Sequence, residues 1–216
     1  MDAQHVAYLK ETFEGRWVGR TAFILASGPG LTEVICERVA KVPDVCAIAV
    51  NDAYKRAPWA PILYSSDSRF WTRVEGAQDF CGMKVAAHPD AKKICKPGWN
   101  VISFPAEHAT TMSFTFPLLH YGYNSGFAAM NLALLMGSQK LVLCGFNMGL
   151  SPDGTTHFFG VRTDGVKSSY SEFIKAYEEA APGLAERGIE VVNATPGTHL
   201  TCFPVVGIEE AIERLC

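Results

Sequence analysis

The chemistry available to this chain is concentrated where apolar runs stop. Ala22-Phe-Ile-Leu-Ala-Ser-Gly-Pro-Gly-Leu31 closes in Ser27, Gly28, Pro29 and Gly30 and leads into a helix-like sequence from about Thr32. Two glycines let backbone approach an anion closely, and a helix start supplies unpaired N–H groups, so this turn is a candidate phosphate cradle. Other runs stop at Asn51-Asp52, Ser65-Ser66-Asp67, Phe146-Asn147 and Asn193. Each alone is ordinary turn chemistry, but gathered on one sheet edge such side chains can read a base or ribose. Ser125-Gly126 opens a second helix whose N-terminus is a candidate anion site. His157, in an aromatic loop near Asp153 and Asp164, is a candidate general acid or base, because imidazole titrates near neutrality.

The elements that must hold these residues are strand-like and helix-like segments in alternation. An amphipathic helix is expected over 3–14, a strand at 21–26 and a helix at 32–41. Strands follow at 46–50 and 61–64, and then a helix over 125–136 that is apolar nearly all round, with Ser125 as its cap and Gly137 as its stop. A strand at 140–144, a helix from Tyr170 interrupted at Pro182-Gly183, a strand at 189–193 and a closing helix at 208–215 complete the series. This pattern predicts an α/β fold with a doubly wound, mostly parallel sheet of the Rossmann-like kind. One domain over 1–216 is expected. Its segments 76–123, with short apolar runs at 83–87 and 101–104 among prolines, and 149–168 are assigned to loops or a lid.

Composition narrows the functional classes. Nineteen basic and 22 acidic residues give a formal charge of −3, with no basic stripe, so no nucleic-acid partner is expected. No 18-residue apolar stretch and no signal-peptide pattern is present, which predicts a cytoplasmic protein without a membrane span. Seven cysteines without a Cys-x-x-Cys pair read as buried reduced thiols. There is no Asp-x-Asp, His-Glu-x-x-His or Gly-x-Ser-x-Gly. No protein-held metal is expected, although Mg²⁺ carried by a nucleotide needs only one or two carboxylates such as Asp52 or Asp67.

The ordered blocks Phe23-Ile-Leu-Ala-Ser-Gly-Pro-Gly-Leu31, Ala49-Val-Asn-Asp-Ala-Tyr54, Asn124-Ser-Gly-Phe-Ala-Ala-Met-Asn-Leu-Ala133, Lys140-Leu-Val-Leu-Cys-Gly-Phe-Asn-Met148 and His157-Phe-Phe-Gly160 resemble the bacterial family-42 sialyltransferases. They are also similar to the related MptE-like family, which includes a pterin diphosphokinase. The resemblance runs from residue 21 to about 204. It implies nucleotide contacts at Ser27 to Gly30, at Asn51 and at Asn124 to Gly126, and it makes a homo-oligomer an expectation. The family's general base is the last histidine of a His-x-x-Gly-His pattern, a position held here by Val161. Its phosphate-binding tyrosines are absent from 149–154.

The leading expectation is a transferase using a nucleotide or nucleotide-sugar donor and an unidentified acceptor, sialyltransferase-like with an altered donor or acceptor, and holding no tightly bound cofactor. Backbone N–H groups at Gly28 to Gly30 and at Ser125 to Gly126 would stabilise the leaving phosphate, and His157 or Asp67 would be the base. The nucleotide set is Ser27, Gly28, Pro29, Gly30, Asn51, Asp52, Ser66, Asn124, Ser125, Gly126, Phe146 and Asn147. An Mg²⁺-dependent diphosphokinase and a nucleotide-binding module without chemistry are the alternatives.

Overall fold

A computed structural model of the chain describes residues 2–87, 96–150, 154–160 and 169–216. His88, Cys95, Asp153, Val161 and Asp164 lie outside these residues.

Helix α1 (Ala3–Phe13) precedes strand β1 (Thr21–Leu25), helix α2 (Glu33–Ala40) and strand β2 (Cys46–Val50), which runs into a 3-10 turn at Asn51–Lys55. Strand β3 (Ile62–Tyr64), helix α3 (Ser68–Arg73), strand β4 (Met83–Ala87) and strand β5 (Val101–Phe104) follow. The short strands β6 (Ala106–Glu107) and β7 (Leu119–His120) lead into helix α4 (Ser125–Leu135) and strand β8 (Lys140–Cys144). Helix α5 (Tyr170–Glu186), strand β9 (Glu190–Asn193) and helix α6 (Ile208–Leu215) close the chain.

Among the described residues seven strands form one sheet in the order β5-β4-β3-β2-β1-β8-β9, every pairing parallel. Alternate strand residues feed two cores. Ala22 and Ile24 face α1, α4 and α5, whereas Phe23 and Leu25 face α2, α3 and α6. Both faces are covered, which is why these strands read as nearly unbroken apolar runs. The fold is therefore a doubly wound, Rossmann-like α/β sheet. The chain builds from β1 toward β5 on one side and returns through α4 to β8 on the other, so the topological switch point lies between β1 and β8.

The structure corrects four expectations. Met83–Ala87 and Val101–Phe104 are sheet strands inside 76–123, which is thus not a lid throughout; each pairs in parallel with its neighbour. The cap of α4 is Asn124, not Ser125: its Oδ1 accepts the N–H of Phe127 at 2.9 Å. Helix α5 runs unbroken through Pro182, which sits on its exposed side, where carbonyls can tilt toward water and relieve the ring. Helix α1 ends at Phe13, one residue early, with Glu14 extended as its cap.

A buried side chain helps tie down the remainder of 106–120. Asn131 of α4 has no solvent exposure; its Oδ1 accepts from the N–H groups of Ser113 (3.0 Å) and His120 (2.8 Å), and its Nδ2 donates to the Ser113 carbonyl (2.7 Å). Cys36, Cys46, Cys81, Cys144, Cys202 and Cys216 are free thiols, and burial pushes Cys36 up to about 11. Among the described residues no helix is long and apolar enough to cross a membrane.

Candidate functional site

A cavity of about 480 Å³ opens beyond the carboxyl ends of β1, β2, β3 and β8. That volume is in the range of small-ligand sites, and the switch point is where open parallel sheets bind them. Of the residues expected from sequence, Ser27, Gly28, Asn51, Ser66, Asp67, Asn124, Ser125, Gly126, Phe146, Asn147 and His157 line it. Pro29, Gly30 and Asp52 do not.

The glycine turn packs against the loop after β8, and its backbone donors are engaged within the protein. Gly28 N–H donates to the Gly145 carbonyl at 3.0 Å, Pro29 has no N–H, and Gly30 N–H donates to Asn147 Oδ1 at 2.7 Å. A Cβ on Gly28 would stand 2.2 Å from the Gly145 oxygen, and one on Gly30 would stand 2.6 Å from Thr195 Cγ2. The glycines are required because the loops after β1 and β8 touch, and no N–H from Gly28 to Gly30 is left for an anion.

The second anion candidate keeps its donors. Asn124 caps α4 while Tyr177 donates to the same Oδ1 at 3.0 Å, so this asparagine is committed to holding the helix start. Burial raises the Tyr177 phenol well above its usual range, which keeps it a donor. Ser125 and Gly126 form the first turn of α4 and face the cavity; their N–H groups have no hydrogen-bond partner among the described residues. Ser125 Oγ accepts the N–H of Ser66 at 3.0 Å, joining this helix start to the end of β3.

Asn51 follows β2 with φ +52°, a left-handed conformation that asparagine tolerates better than most residues. Its Oδ1 is buried without a hydrogen-bond partner among the described residues, an unused acceptor at the cavity wall. Ser27 Oγ donates to the Val50 carbonyl at 3.0 Å, spanning β1 and β2. Phe146, almost fully buried, packs edge-on to Tyr177 and forms part of the floor.

Asp52 is a structural charge. It is buried, and its carboxylate is held by Arg73 (2.6 Å) and Lys55 (2.9 Å). Burial works to raise its pKa, but the hydrogen bonds and charges of Arg73 and Lys55 outweigh it and hold the carboxyl below its usual value. Asn193 is likewise structural: its Nδ2 donates to Thr198 Oγ1 and to the Leu200 carbonyl, tying the turn after β9.

Asp67 lines the cavity as the cap of α3, and both of its oxygens are engaged. Arg69 Nε reaches Oδ1 at 3.0 Å and an Arg69 terminal nitrogen reaches Oδ2 at 3.1 Å. His157 also lines the cavity, with its ring stacked on Phe159 and Nδ1 2.7 Å from Thr156 Oγ1. Among the described residues no group of three or more His, Cys, Asp or Glu could hold a metal.

Sequence reasoning missed an aromatic lining: Tyr121 and Tyr123 before α4, and Tyr170 and Phe173 in the first turns of α5. The Tyr-Gly-Tyr-Asn run preceding Ser125 was the available signal. Gly122 (φ +38°) and Tyr123 (φ +65°) bend the chain there, and the His108 ring packs edge-on to Tyr121 and Tyr123. Arg69 was missed as well.

Fold and site together define a doubly wound α/β protein with a ligand-sized cavity at its switch point. No family model, curated protein or solved structure matches the chain.

Proposed function

We propose that the chain is a transferase that takes a nucleotide-activated donor, with the donor phosphate at the N-terminus of α4 and the nucleoside in the crevice between β1 and β8. One observation carries this reading: Ser125 and Gly126, whose N–H groups have no partner among the described residues, line a cavity of about 480 Å³ at the switch point. Those dipoles oppose the charge that develops on a leaving phosphate. The transferred group is a glycosyl unit, a choice supported by the sialyltransferase-like blocks. His157 is the better base toward an acceptor hydroxyl, because both Asp67 oxygens are held by Arg69. His157 Nδ1 lies 2.7 Å from Thr156 Oγ1, and a base requires the tautomer that carries its proton on Nδ1 and leaves Nε2 as the acceptor.

The diphosphokinase alternative needs Mg²⁺, and the carboxylates expected to meet it are both ion-paired. Asp52 is closed by Arg73 and Lys55, and Asp67 is closed by Arg69.

A thermal-shift panel of CMP, UDP, GDP, ATP and their sugar conjugates tests the reading. A ligand at about 100 times its Kd adds roughly 2.7 kcal/mol. In a chain of this length that raises Tm by roughly 5–10 °C. A flat response to every nucleotide refutes nucleotide binding. A shift without donor hydrolysis or transfer leaves the protein a nucleotide-binding module.

A further inference from the structure

The Asp67–Arg69 pair stands on the cavity wall as a closed fork. The guanidinium meets the carboxylate through two parallel N–H···O contacts, Nε to Oδ1 and a terminal nitrogen to Oδ2. This is the geometry with which arginine recognises a carboxylate or a phosphate. The Arg69 side chain is 66% exposed and that of Asp67 is 24% exposed, so solvent screens the contact between them. Asp52–Arg73 differs, because its carboxylate is buried and met by a second cation.

Position adds a second argument. Ser66 N–H donates to Ser125 Oγ at 3.0 Å, so the corner that carries Asp67 adjoins the first turn of α4 with its unpaired N–H groups. Among the described residues lining the cavity, Arg69 is the one lysine or arginine and Asp67 the one carboxylate. Arg69 is thus the full positive charge that the described lining offers to an anion at α4.

We infer that Arg69 is the anion-recognition residue of the cavity and that Asp67 holds its place, giving up the guanidinium when a ligand phosphate arrives. The exchange trades a screened carboxylate contact for a bidentate contact with a phosphate that the α4 N–H groups also bind. The seat of the anion at α4 and its identity rest on the nucleotide-donor reading.

The test is isothermal titration of wild type, Arg69→Gln and Asp67→Asn with CMP, UMP, GMP and AMP, each beside its nucleoside, and separately with inorganic pyrophosphate. Asparagine caps a helix as well as aspartate does, so Asp67→Asn keeps α3 while removing the competing charge. The expected results are about 10-fold or more weaker nucleotide binding in Arg69→Gln, unchanged nucleoside binding, and tighter nucleotide binding in Asp67→Asn. A purely structural pair would not give that gain. Nucleotide affinity unchanged in both variants overturns the role of Arg69 while leaving nucleotide binding intact. Pyrophosphate binding that tightens in Asp67→Asn, with no nucleotide bound by any variant, keeps Arg69 and overturns the nucleotide. No binding of either probe to wild type overturns both.

Discussion

Gly28 and Gly145 meet backbone to backbone: the Gly28 N–H donates to the Gly145 carbonyl at 3.0 Å, and a Cβ on Gly28 would lie 2.2 Å from that oxygen. This contact joins the loops after β1 and β8 at the switch point and shapes one wall of the cavity. Gly28→Ala forces the loops apart and is expected to cost about 2–3 kcal/mol. Gly183 in α5 has nothing within 4 Å of an added Cβ, so Gly183→Ala should instead stabilise by about 0.5–1 kcal/mol. Urea unfolding of the two variants checks the opposite signs.

Ser125→Pro tests the proposed anion-binding role of one N–H. Proline suits the first helical position, and Asn124 before it is already extended (φ −149°, ψ 155°), as a residue preceding proline prefers. Ser125→Ala is the control, because both variants lose the Ser125 Oγ contact with Ser66 and only proline removes the N–H. Titration with the nucleotide that stabilises wild type should show affinity about 10-fold lower in Ser125→Pro than in Ser125→Ala, with both helices intact by circular dichroism.

Asn131 is the buried polar anchor of the 106–120 segment. Asn131→Leu fits the apolar surroundings of α4 but strands two N–H groups and one carbonyl, a loss of about 3 kcal/mol. Denaturant unfolding measures the loss, and limited proteolysis should cut within 106–120 faster than in wild type.

Asp52 gives the fold an acid-labile element. Its folded pKa lies below the ordinary 3.8, so its stabilisation is fully present above that value and is lost as pH falls from 3.8 through the lower folded value. Asp52→Asn should be less stable than wild type at pH 7, and the gap should narrow as pH drops below 3.8. Urea midpoints measured from pH 7 down to pH 2.5 test the sign.

Much of this arrangement was legible in order along the chain. The apolar runs at 46–50 and 140–144 are strands at the expected bounds because parallel strands covered on both faces need apolar side chains at every position. Helix α4, apolar all round, is buried for the same reason. Val101–Phe104 was illegible as a strand because the run is short and flanked by proline-rich sequence, and only pairing with β4 makes it one.

The sequence by itself determined the alternation of strands and helices, the burial of α4 and the collection of small polar residues at strand ends, since hydrophobic periodicity and capping are local properties. Tertiary structure alone decided which of those residues remain available to a ligand. The N–H groups of Gly28 and Gly30 are taken by Gly145, more than a hundred residues away, and by Asn147, whereas those of Ser125 and Gly126, which line the cavity, have no partner among the described residues. Whether a donor is spent or available depends on what packs against it, and partners that distant in sequence meet only once the sheet has formed.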